Sequence, residues 1–85
     1  MTGMWEASMA ASESLDCRNL LCPMPVIRTQ AAVAGMAAGD ELEIVATDPG
    51  VLEDIPAWSR VHGHEVIETR ESGQEIYVRL RVGSG

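Results

Sequence analysis

The sequence predicts an α+β domain: a two-layer α/β sandwich of order β-α-β-α-β-β, in which a four-stranded mixed sheet carries two helices on one face. Three observations predict it. Apolar residues alternate with polar ones in two segments, Leu42, Ile44 and Ala46 in one and Ile76, Val78, Leu80 and Val82 in the other, which is the period of half-buried strands. Two prolines, Pro23 and Pro49, open stretches of helical periodicity, where the missing N–H and preset φ of proline suit a first turn. Finally, Glu71-Ser72-Gly73-Gln74 reads as a four-residue hairpin loop that joins the last two strands antiparallel.

Taken in order, Met1–Ser14 is rich in Ala, Ser and Met and reads as a flexible extension, with Trp5 able to dock, ahead of a single domain over residues 15–85. Ser14–Arg18 is a short strand that turns Leu15 and Cys17 inward. Asn19 is the residue of the following turn best able to take a positive φ. The first helix is predicted over Pro23–Ala37, with Val26, Ile27, Gln30, Val33, Ala34 and Ala37 on one stripe and Gly39 as its C-terminal cap. A strand over Glu41–Thr47 follows. Asp48 and Pro49 then start a second helix with Val51, Ile55, Trp58 and His62 on its apolar stripe. Pro56 lies inside that helix and predicts a kink or a restart near Ile55. Gly63 ends it, and strands over His64–Arg70 and Glu75–Val82 close the order. Parallel strands joined by a crossover favour both helices on one face.

Composition narrows the function. A chain of 85 residues has room for one small core, and with no Phe and one Tyr it is poorly supplied to line a dinucleotide or haem pocket. Six Arg, no Lys and a net charge of −7 leave no basic stripe, which disfavours direct nucleic-acid binding and removes Schiff-base chemistry. No apolar run approaches membrane-spanning length, and Met1–Ser14 lacks the basic start and apolar core of a secretory signal. A cytoplasmic location with reduced cysteines is the expectation.

The chemistry centres on Cys22-Pro23-Met24-Pro25. With Pro23 as the first helical residue, Cys22 falls at the N-cap, where free amides and the positive end of the helix dipole favour a thiolate and lower its pKa. Met24 carries the first-turn amide left available, since both prolines lack one. Cys22 is thus the candidate nucleophile, and Arg18 and Arg28 are candidates to steady it or to meet a partner's carboxylate. Cys17 reads as a core-facing small hydrophobe, with a resolving thiol toward Cys22 as the alternative. The Cys-x4-Cys and His-x-His spacings, the latter from His62 and His64, fit zinc modules poorly, so no metal or cofactor is called for. His62 is expected to border the core and His64 to be exposed. Glu41, Glu43, Glu65, Glu68, Glu71 and Glu75 read as a solvated face.

Leu15-Asp16-Cys17-Arg18-Asn19-Leu20-Leu21-Cys22-Pro23-Met24-Pro25, together with Asp48-Pro49, Asp54-Ile55-Pro56 and Gly63-His64-Glu65-Val66, resembles the small sulfur-carrier proteins of the TusA/SirA type. The resemblance covers about Leu15 to Val82. It implies a sulfurtransferase acting as a protein sulfur carrier, in which Cys22 takes sulfane sulfur as a persulfide from a cysteine desulfurase or another persulfide donor. The acceptor it implies is a protein serving tRNA thiolation, molybdenum cofactor assembly or sulfur oxidation. The alternative of another class is a redox regulator in which Cys17 and Cys22 interconvert between dithiol and disulfide. Two residues depart from the family pattern. Asn19 stands where Gly is common, and Met24 stands where Glu is common, so no carboxylate is expected beside the thiol.

Overall fold

The computed structural model describes residues 12–83. Its elements are β1 (Ser12–Cys17), α1 (Met24–Ala34), β2 (Glu41–Ala46), α2 (Val51–Val61), β3 (Glu65–Ser72) and β4 (Glu75–Arg81). The sheet order is β1-β2-β4-β3. β1 pairs parallel with β2, and β4 runs antiparallel to both β2 and β3, so β4 alone is reversed. The predicted order, mixed sheet and two helices are all present.

Strand alternation builds the core. Leu42, Ile44 and Ala46 of β2 and Ile76, Val78 and Leu80 of β4 turn to one face, where they meet Cys17, Val33, Val51, Ile55 and Val82. Each large side chain buried there contributes roughly 1.5–3 kcal/mol of transfer free energy. The opposite face is charged. Register sets Glu41 beside Arg81 and Glu43 beside Arg79. Arg79 reaches Glu41 at 2.9 Å and Glu43 at 3.7 Å, while Arg70 reaches Glu43 at 3.4 Å and lies 4.6 Å over the Tyr77 ring. Glu41, Glu43, Glu65, Glu68 and Glu75 of the expected solvated face are therefore ion-paired to arginines, at a modest gain of up to about 1 kcal/mol for each exposed pair.

Several boundaries move. β1 begins at Ser12, so Ser12–Ser14 belong to the sheet and not to the extension; Trp5 lies outside the described residues. α1 stops at Ala34 with Gly35 as its cap, because glycine gains least from continuing a helix. Gly39 sits beyond it with φ +93°, donating to the Val82 carbonyl at 2.7 Å. The buried face of α1 is Pro25, Thr29 and Val33, with Val26 half-buried and Ile27, Gln30, Ala34 and Ala37 exposed. The buried face is rotated from the apolar stripe because a threonine, Thr29, takes a core position.

α2 runs unbroken through Pro56, without the restart the interior proline predicted. Its first turn carries Glu53 and Asp54 and its last turn Arg60, charges that suit the helix dipole. The β3–β4 loop is a two-residue turn, with Ser72 still paired to Glu75 and Gly73 supplying the positive φ of 61°. The two histidines exchange their expected places. His62 caps the helix on the exposed side, whereas His64 is half-buried and accepts a 2.9 Å hydrogen bond from the Gly83 amide at Nδ1. Both rings lie 5.1 Å from that of Trp58.

Candidate functional site

The site forms where β1 hands the chain to α1. Asn19 has the expected positive φ, 66°, and its amide donates to Thr47 Oγ1 at 2.9 Å. The Leu20 amide returns to the Cys17 carbonyl, so the strand reverses at once and Leu21 and Cys22 are carried to the surface. Pro23, joined to Cys22 by a cis peptide bond, occupies the N-cap of α1. Cys22 therefore lies one residue outside the cap, not on it. The Met24 amide is not a free donor either, because it bonds the Leu21 carbonyl at 2.8 Å.

What holds Cys22 comes from the other helix. Asp48, in the loop after β2, accepts the Cys22 amide on Oδ2 at 3.1 Å and the Gly50 amide on Oδ1 at 3.1 Å. Asp54, in the first turn of α2, accepts the Cys22 thiol on Oδ2, with Sγ 2.9 Å away. A carboxylate does stand beside the thiol, contrary to what Met24 in place of Glu suggested. The Cys22 thiol is pushed above its ordinary range by the Asp54 hydrogen bond, then by slight desolvation and the negative charges of Asp54 and Asp48. The shift is opposite to the lowering expected from a helix start: Cys22 lies one residue outside the cap, and the charged groups acting on its thiol are two acids. Neither acid announces itself in the sequence as acting on the thiol: Asp48 beside Pro49 reads as a helix cap, and Asp54 lies 32 positions from Cys22.

The other candidates fall apart spatially. Arg18 is committed to Asp16 at 2.9 Å and Glu75 at 3.3 Å, where it holds the Asp16 carboxyl down at about 2, and it is not among the groups that act on the thiol. Cys17 is wholly buried, its thiol raised by that burial, while Cys22 is exposed; both are free. Around Cys22 the surface is apolar at Leu21, Met24 and Ile27, which are 75%, 39% and 50% exposed. A separate open cleft between α2 and β3, lined by Pro56, Ser59, Arg60, His64, Glu65 and Val66, shares no residue with this site. Among the described residues, no three His, Cys, Asp or Glu gather as a metal site, and no helix is long and apolar enough to cross a membrane.

Comparison with known proteins converges on one group. The family model of sulfurtransferase TusA matches residues 13–82. YrkI of Bacillus subtilis is 40% identical over 75 residues, which span 88% of this chain and the whole of that protein. The sulfur carrier protein TusA of Allochromatium vinosum is 32% identical over 69 residues, 81% of this chain and 91% of its own. In fold, the chain is similar to the crystal structure of a SirA-like protein from Desulfitobacterium hafniense, with a TM-score of 0.75 at 22% identity over 85% of this chain and 99% of that one.

Proposed function

The chain belongs to the TusA family of sulfurtransferases, and from that premise we propose that it is a sulfur carrier whose Cys22 takes up sulfane sulfur as a persulfide and relays it to an acceptor protein. The observation that carries the proposal is the placement of Cys22: a free, exposed thiol delivered to the surface at the β1–α1 junction and bordered by exposed Leu21, Met24 and Ile27. A carrier needs an accessible sulfur amid a surface that other proteins can cover. Cys17, wholly buried, supports a structural role and gives a Cys17–Cys22 dithiol switch no exposed second thiol.

In the loading step the Cys22 sulfur attacks the outer sulfur of a donor persulfide. The donor's S–S bond breaks, its cysteine leaves as thiolate, and the proton given up by Cys22 ends on that leaving sulfur. Unloading repeats the exchange with an acceptor thiol. The electrons stay with sulfur throughout, so the exchange calls for no redox cofactor. Pro23 and Pro25 fix the backbone that presents Cys22, and Met24 belongs to the contact surface. Donors are a cysteine desulfurase or another persulfide protein; the acceptor serves tRNA thiolation, molybdenum cofactor assembly or sulfur oxidation, in a cytoplasm that keeps thiols reduced.

The test is incubation with a cysteine desulfurase and sulfur-labelled cysteine. Label that enters the wild type, leaves on treatment with a thiol reductant and is absent from Cys22→Ala supports the proposal. Label retained in Cys22→Ala overturns it.

A further inference from the structure

A carrier must give sulfur up as readily as it takes it, and the surroundings of Cys22 treat its two states differently. Unloaded, Sγ has a proton and donates it to Asp54 Oδ2 over 2.9 Å, a bond from a weak donor that the carboxylate's charge assists. Loaded, the sulfur bonded to Cβ holds a second sulfur in place of that proton and has nothing to donate. The outer sulfur of a persulfide is more acidic than a thiol, and on ionising it brings a second negative charge toward Asp54 and Asp48. The charged groups acting on the Cys22 thiol are Asp54 from α2 and Asp48 from the β2–α2 loop, both negative, while Arg18 is held by Asp16 and Glu75. Asp48 is itself occupied with the Cys22 and Gly50 amides, which leaves the sulfur to Asp54.

We propose that Asp54 is a positioning residue that sets the direction of transfer, holding the unloaded carrier as a hydrogen-bonded thiol and offering the loaded carrier no such bond. This inference rests on the persulfide reading of Cys22. The balanced exchange is Cys22 persulfide plus acceptor thiol giving Cys22 thiol plus acceptor persulfide: one S–S bond breaks, one forms, and one proton passes from the acceptor thiol to Cys22. Asp54 stabilises the product side of Cys22 and repels the reactant side.

The experiment equilibrates persulfidated protein with glutathione at pH 7 and reads the loaded fraction by intact mass, for wild type, Asp54→Asn and Asp54→Ala. Asparagine keeps the volume and removes the charge; alanine also removes the acceptor. Wild type is expected to lie about three- to tenfold further toward the free thiol than either variant, tenfold matching one pKa unit of differential interaction. The pH midpoint for alkylation of the unloaded thiol by iodoacetamide, a neutral reagent, should fall in both variants, which a residue that only supports the fold would not produce. Equal or reversed equilibria, or an unmoved alkylation midpoint, overturn the role of Asp54. Failure of even the wild type to take up sulfur from polysulfide would instead overturn the carrier reading and the directional claim with it, while the alkylation midpoint still decides whether Asp54 holds the thiol.

Discussion

The Cys22 sulfur donates to Oδ2 of Asp54 over 2.9 Å, joining residues 32 positions apart and tying the start of one helix to the first turn of the other. That contact makes the resting Cys22 a guarded thiol. The consequences run from its reactivity to the packing that supports it.

Alkylation should be selective and slow. Iodoacetamide is expected to label Cys22 and to spare wholly buried Cys17 until the protein unfolds. Because the Cys22 thiol is raised above its ordinary range, its labelling rate at pH 7 should lie below that of an unstructured cysteine peptide and climb only at more alkaline pH. Peptide mapping after a timed pulse checks both points; equal labelling of the two cysteines in the folded state would contradict them.

Removing Asp48 should loosen the loop that carries the site. Asp48→Ala strips the acceptor from the Cys22 and Gly50 amides, a loss of about 1–2 kcal/mol at roughly 1 kcal/mol per hydrogen bond. In a domain of this size that corresponds to a drop of several degrees in Tm, at about 4–8 °C per kcal/mol. Thermal melts of wild type and variant measure it.

Two buried hydroxyls predict stabilising substitutions. Among the described residues, Thr29 Oγ1 and Ser59 Oγ find no hydrogen-bond partner, and their residues are 0% and 1% exposed. An unpaired buried polar group costs about 1–3 kcal/mol, so Thr29→Val, which keeps the shape, should raise stability by about 1 kcal/mol. Ser59→Ala should act in the same direction, helped by the better helix propensity of alanine. Urea unfolding at constant m-value provides the readout. By contrast, Ile55→Ala at the centre of α2 should cost about 2–5 kcal/mol.

His64 should make the fold pH-sensitive. Burial and the neighbouring His62 lower its pKa below 6.5, and its Nδ1 must stay unprotonated to accept from Gly83. The unfolded chain thus binds more protons around and just below pH 6.5. The contribution is fully present above that pH and is lost as pH falls through the lowered folded value. His64→Gln should flatten this segment of the stability curve, measured by denaturant titrations between pH 7 and pH 5.

The layers of this domain were legible where period and burial coincide. Ile76, Val78, Leu80 and Val82 alternate without interruption, and their buried positions follow directly. Cys17 was legible for the same reason, as was the positive φ of Asn19, since few other residues of that turn tolerate it. The face of α1 was not, because Thr29 is polar by type and buried in fact, while apolar Ile27 faces solvent beside the site. His62 and His64 sit at a helix end, where a one-residue shift in the final turn exchanges inside and outside. The chemistry of Cys22 was half legible. Two prolines advertise a presented cysteine, but its protonation is governed by Asp48 and Asp54, whose approach depends on how α2 packs beside α1.

The central claim is that Cys22 alone carries sulfur. Its most direct test is intact-protein mass after incubation with cysteine and a cysteine desulfurase, run on wild type, Cys17→Ala and Cys22→Ala. The account predicts one added, reducible sulfur atom on wild type and Cys17→Ala and none on Cys22→Ala. Sulfur lost with Cys17 or kept without Cys22 would contradict it.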